Sequence, residues 1–199
     1  DVQDLVKTSA LLYSNRVSGF VQYRYADTLR DSSIFVLTAG LRAQYWDFNG
    51  QTLASPRVQL RWNPHWKNRN IIFTASGGMY YQPPFYRELR DYNGVLHRDV
   101  KAQTSVHAVL GTDITFEAWK RDFRFIGEVF YKYLDNLNPY EVDDVRIRYF
   151  GGNMARGYAY GLDMRLYGEF VEGAESWLSI SLLRTREDLY NDYSNIYIN

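Results

Sequence analysis

Alternation of apolar and polar residues at every second position, sustained over residues 102–118, constrains this chain more than any other feature. The even positions Ala102, Thr104, Val106, Ala108, Leu110, Thr112, Ile114, Phe116 and Ala118 are apolar or threonine, while the odd ones include Gln103, Ser105, His107, Asp113 and Glu117. A period of two belongs to an extended strand, whose side chains point alternately to its two faces. After a break at residues 119–122 the pattern resumes, with Phe123, Phe125, Gly127, Val129, Tyr131 and Tyr133 against Arg124, Glu128 and Lys132. The two runs therefore predict a hairpin with one apolar and one polar face. At roughly 3.3 Å per residue the first run extends about 56 Å, against about 5 to 6 residues for an ordinary strand. A tilted transmembrane wall strand needs roughly 9 to 11 residues and can project beyond the bilayer, so the length points to a barrel wall.

The same alternation recurs along the chain. Residues 5–13 read as a weak first strand. Val17, Gly19, Val21, Tyr23 and Tyr25 then oppose Arg16, Ser18, Gln22 and Arg24, and Phe35, Leu37, Ala39, Leu41, Ala43 and Tyr45 oppose Thr38, Arg42 and Gln44. Shorter runs at 58–62 and 73–81 follow, the second ended by Pro83 and Pro84, which cannot donate to a ladder. Residues 156–170 and 178–182 supply the last strands. Two connections are long, 82–100 and 137–154, the second with a small strand at 145–149; those at Lys120 and Gly173 are short. Long and short connections alternate, as in a transmembrane barrel. On the apolar faces, aromatics gather at both strand ends around an aliphatic band, the pattern of two interfacial girdles. The reading is an all-β antiparallel meander of about nine long strands. An odd count predicts a section of a larger wall, since bacterial single-chain barrels use even numbers.

That facing puts Val106, Leu110, Ile114, Phe125 and Val129 in hydrocarbon and His107, Asp113, Glu117, Arg124 and Glu128 toward the lumen, because a slip of one residue would expose the charged set to lipid. Composition agrees with half-polar strands: 17% of residues are aromatic, yet the mean hydropathy is -0.43. With 23 Lys+Arg against 23 Asp+Glu, no overall field attracts nucleic acid, so no nucleic-acid partner is expected. The chain has no cysteine, which removes disulfides and thiolate metal sites. No apolar run is long enough for a transmembrane helix, a test blind to barrel strands.

Several stretches resemble one family. Residues 37–46 (LTAGLRAQYW), 55–57 (SPR), 80–84 (YYQPP), 87–90 (RELR) and above all 140–163 (YEVDDVRIRYFGGNMARGYAYGLD) look like the barrel of TonB-dependent outer-membrane receptors. The last block is similar to Bacteroidota receptors that carry a carboxypeptidase-like regulatory domain. The resemblance implies a 22-stranded transmembrane β-barrel in the bacterial outer membrane, of which residues 1–199 would be a part without plug or terminal strands. It also implies outer-membrane lipid as a partner, the TonB complex as a partner through the missing plug region, and energised uptake of a siderophore, cobalamin, glycan or peptide. A passive porin or structural barrel is the alternative.

Candidate binding residues lie in the long connections: Phe85, Tyr86, Arg87, Arg90, Arg146, Arg148 and Tyr149, whose rings and guanidinium groups suit stacking on, and hydrogen bonding to, a ligand. No cofactor, catalytic residue or metal site is expected. His65, His97 and His107 lie on three elements without zinc-site spacing. Glu141, Asp143 and Asp144 lack the glycine-punctuated loop of a calcium site. Carboxylates such as Asp113, Glu117, Glu128, Asp163 and Glu169 belong to a polar face regardless of catalysis. Gly157 and Gly161 leave that face thin, as if something packs against it.

Overall fold

The computed structural model describes residues 12–66, 69–91, 93–143 and 146–190. In chain order its strands are β1 (Arg16–Thr28), β2 (Ile34–Trp46), β3 (Gln51–Asn63), β4 (His65–Trp66), β5 (Arg69–Gln82), β6 (Gln103–Ala118), β7 (Arg121–Leu137), β8 (Tyr140–Asp143), β9 (Arg146–Tyr149), β10 (Ala155–Val171) and β11 (Ala174–Leu189). The long strands hydrogen-bond in the order β1-β2-β3-β5-β6-β7-β10-β11, with β4 paired to β5, and β8 and β9 form a separate ribbon. Every pairing is antiparallel. The weak strand expected at 5–13 falls almost entirely outside the described residues.

Register follows the alternation. Ala75, Leu110, Val129, Leu162 and Leu182 stand opposite one another across five strands, and Val106 and Ile114 face Tyr133 and Phe125. On the other face His107 meets Lys132 and Glu128 meets Asp163. Period-two side chains exclude a one-residue slip, which would move the apolar set to the other face.

The sheet does not close. Among the described residues β1 and β11 are its two ends, with no pairing between them, and every residue of β1 is exposed. The expected place in a 22-stranded transmembrane β-barrel is thus corrected: the chain forms eleven strands in an open antiparallel sheet and a small ribbon. Closure requires the first and last strands to exchange hydrogen bonds with consistent tilt and stagger, and here they do not meet. The outer-membrane location and outer-membrane lipid as a partner are corrected by the same observation, since an open sheet leaves rows of N–H and C=O groups that hydrocarbon cannot satisfy.

The aromatics at the short-turn ends of the strands pack on one another. Trp62 stacks on Phe73 at 5.6 Å between centroids, Trp66 meets the same ring edge-on at 6.3 Å, and Phe123 gathers Phe116, Trp119 and Phe170 at 5.9, 5.6 and 5.4 Å. Ring pairs of this kind stabilise hairpins by about 0.5–1.5 kcal/mol beyond burial, so the aromatics at the short-turn ends serve cross-strand packing. At Gly161 the neighbouring strand supplies part of the missing bulk, since a Cβ there would lie 2.7 Å from the Phe130 ring.

Candidate binding site

Three connections converge where β2, β5 and β7 finish: the turn 47–50, the segment 83–102, and the segment 138–154 that carries the β8–β9 ribbon. Segment 83–102 brings Leu89 and Val100 onto Trp46, with Phe48 and Leu96 packed against them. Asn49 Nδ2 donates to the Val100 carbonyl at 3.1 Å, and the Ala102 N–H donates to Gln51 Oε1 at 2.9 Å. Room for this exists because β3 pairs with β5 only from Arg57 onward, directly after Pro56, which has no N–H for a ladder.

Residues 85–90 form a helix-like turn. The Glu88 N–H donates to the Phe85 carbonyl at 2.9 Å, and Glu88 Oε2 accepts the Phe85 N–H at 3.0 Å, so this side chain closes its own turn as in a capping box. Both Glu88 and Asn138 are buried, and Asn138 Nδ2 donates to the Glu88 carbonyl at 3.0 Å. That bond ties the first long connection to the start of the second. Asn153 makes the other tie: its Nδ2 donates to the carbonyls of Lys101 at 3.0 Å and Asn136 at 2.6 Å, and its Oδ1 accepts the Lys101 N–H at 2.6 Å.

Asp91 organises the next bend. Its Oδ1 accepts the N–H groups of Asn93 and Val95, both at 2.9 Å, and its Oδ2 lies 3.1 Å from His97 Nε2. Burial pushes this carboxyl up, but His97, Val95 and Asn93 together outweigh it and hold the group below its ordinary value. Gly151, with φ +71°, stands against the same histidine, where a Cβ would come within 2.7 Å of His97 Cδ2. Only glycine meets both the positive φ and the close approach without strain.

On this frame Phe85, Tyr86 and Arg87 are exposed. The Arg87 guanidinium lies 5.7 Å over the ring of Tyr149, which is buried and 5.9 Å from Tyr140. Tyr86 turns the other way: its hydroxyl is 3.0 Å from Ser14 Oγ, which accepts the Trp46 Nε1–H at 2.9 Å. Arg90 bridges Leu96 through the backbone, while Arg148 and Arg146 stand opposite Glu141 and Asp143 in the ribbon. The Arg146 side chain and Asp144 lie outside the described residues. Of the expected set, then, Arg87 and Tyr149 are brought together and Tyr86 is directed to the start of β1.

The frame residues Trp46, Glu88, Leu89, Val100, Asn138 and Asn153 escape a reading by alternation. Trp46 does carry a signal, because it is a large apolar residue in the polar phase of β2. Elsewhere, His65 lies on β4 and His107 is 2.6 Å from Ser105 Oγ. Among the described residues no group of three or more His, Asp or Glu side chains could hold a metal ion. A cleft of about 990 Å³ lies at the opposite end of the sheet, between Glu117, Arg124, Glu169 and Trp177.

Compared with family models, with characterised proteins and with solved structures, the chain matches none. With the open sheet, this corrects the resemblance to TonB-dependent receptors. TonB-energised nutrient uptake, its passive-porin alternative and the TonB complex as a partner are corrected with it, since each requires a closed wall around a passage and, among the described residues, the sheet ends in two unpaired edges.

Proposed function

We propose that this chain is a non-catalytic binding module whose ligand docks on the surface made by residues 85–90 and the β8–β9 ribbon. The observation that carries this reading is the Arg87 guanidinium over Tyr149: two long connections each contribute one side chain to a single cation–aromatic pair. Buried Glu88, Leu89 and Asn138 hold the backbone beneath it. An exposed guanidinium on a fixed ring offers forked donors to carboxylate, phosphate or hydroxyl oxygens, and Phe85 adds stacking surface. Sugars and peptides are ligands of that kind. Catalysis has less support: Asp113 accepts two hydrogen bonds from Arg124, at 2.9 and 2.6 Å, which hold its carboxyl below the ordinary range and make it a poor general acid.

Glycan and peptide arrays probed with the full chain test the reading. For a ligand found this way, Arg87→Ala should weaken binding about tenfold, or about 1.4 kcal/mol, without moving the melting temperature. Unchanged binding in both Arg87→Ala and Phe85→Ala would remove the site.

A further inference from the structure

Charge is unevenly spread across the polar face of the sheet, although the chain as a whole is neutral. Over β1, β2 and β3 that face carries Arg16, Arg24, Arg42, Arg57 and Arg61 and no carboxylate, whereas over β6, β7 and β10 it is mixed, with Asp113, Glu117, Asp122, Glu128 and Asp163 set among Arg124, Lys132 and Arg165. Arg16 is engaged, lying 4.4 Å over Trp46 and donating to the Pro84 carbonyl, and Arg61 is felt by Asp113. Arg24, Arg42 and Arg57 remain exposed, and among the described residues no carboxylate forms an ion pair with them.

Their placement follows from register. Arg42 stands opposite Phe20 and Ser55, Arg24 opposite Thr38, and Arg57 between Gly40 and Gly78. With no side chain on either glycine, the Arg57 guanidinium lies across to the Tyr80 ring at 4.4 Å; a Cβ on Gly78 would come within 3.0 Å of Arg57 Cγ. Strand spacing and rise place the three arginines within about 14 Å of one another. That span exceeds one small anion and suits anionic groups on successive units of a chain.

We propose that the polar face of β1–β3 binds an acidic glycan, an oligosaccharide whose units carry carboxylate or sulfate groups. Guanidinium forks match both anions in a bidentate manner, and the exposed amides of Gln22 and Gln59 donate to and accept from sugar hydroxyls. Phe20, 83% exposed, offers one ring for the apolar face of a sugar. Single-stranded nucleic acid fits less well, because it stacks successive bases on successive rings, and Tyr80 already carries Arg57 and, at 4.5 Å, His107. This surface is separate from the loop site.

Binding of the full chain to a heparin oligosaccharide and to an oligogalacturonate, at low and high salt, separates sulfate from carboxylate recognition. At least one should bind and weaken with salt. Arg42→Gln with Arg57→Gln should then lower affinity tenfold or more, and Arg24→Gln alone several-fold. Arg165→Gln on the mixed half and Arg87→Ala at the loops should leave it unchanged, which keeps this result distinct from that of the loop site. Circular dichroism of each variant guards against misfolding. The proposal falls if neither glycan binds, if the arginine variants bind as well as the parent, or if single-stranded DNA of equal charge binds more tightly. It also falls if sedimentation shows this face occupied by a second copy, through a dimer that the same variants dissolve.

Discussion

The Asp91 carboxylate holds two backbone N–H groups and the His97 ring at once, and its ionisation is coupled to the order of the loop. Its folded pKa is lowered, so the unfolded chain binds the proton more readily. The stabilisation is therefore fully present above the ordinary aspartate value of about 4 and is lost as pH falls through the lower folded value. Carboxyl NMR should find Asp91 titrating below the model aspartate, with the Val95 amide shift moving in step. An ordinary midpoint would show that the three donors do not hold the charge. None of this is visible in the segment as sequence, where Asp91 is one charged residue among several; the bend depends on which N–H groups curl toward it.

The β6–β7 hairpin turns through Trp119 and Lys120, with φ of 54° and 62°. Both lie in the left-handed region, which a two-residue hairpin turn demands and which Asn-Gly supplies best. Side chains with a Cβ cost about 1–2 kcal/mol per residue there, offset in part by the Trp119 edge on Phe123 at 5.6 Å. Replacing the pair by Trp119→Asn with Lys120→Gly should raise hairpin stability by about 1 kcal/mol, read as a higher melting temperature. A lower one would mean that the ring contact outweighs the strain. The position of this turn is legible in the sequence, because the alternation stops and restarts around it; its conformation is not.

Among the described residues, two open edges and an apolar face of exposed side chains set the behaviour at the scale of the molecule. Val21, Leu110 and Leu182 are 66%, 60% and 61% exposed, on a surface well beyond isolated apolar residues. Unpaired strand edges template further pairing, so the chain should self-associate in water in a concentration-dependent way. Val21→Lys with Leu182→Lys, one charge on each end strand, should reduce that association. Sedimentation velocity measures both, and a parent chain that stays monomeric at high concentration would contradict the expectation.

The sequence by itself determined most of the long strands and their faces, but its count of about nine is corrected to eleven among the described residues, because β4 and β8 are too short for alternation to show. A period of two states which side of the pleat each residue occupies, and short turns leave antiparallel neighbours as the economical pairing. It also placed Arg87 and Tyr149 in the two long connections. Only the tertiary structure decided whether the end strands meet, because periodicity specifies faces and says nothing of edges, and strand-end aromatics serve cross-strand stacking as well as a membrane interface. It alone decided that segment 83–102 packs on Trp46 and that Arg24, Arg42 and Arg57 share one uncompensated surface. Those relations join residues far apart in the chain, and a local pattern carries no record of which distant side chains become neighbours.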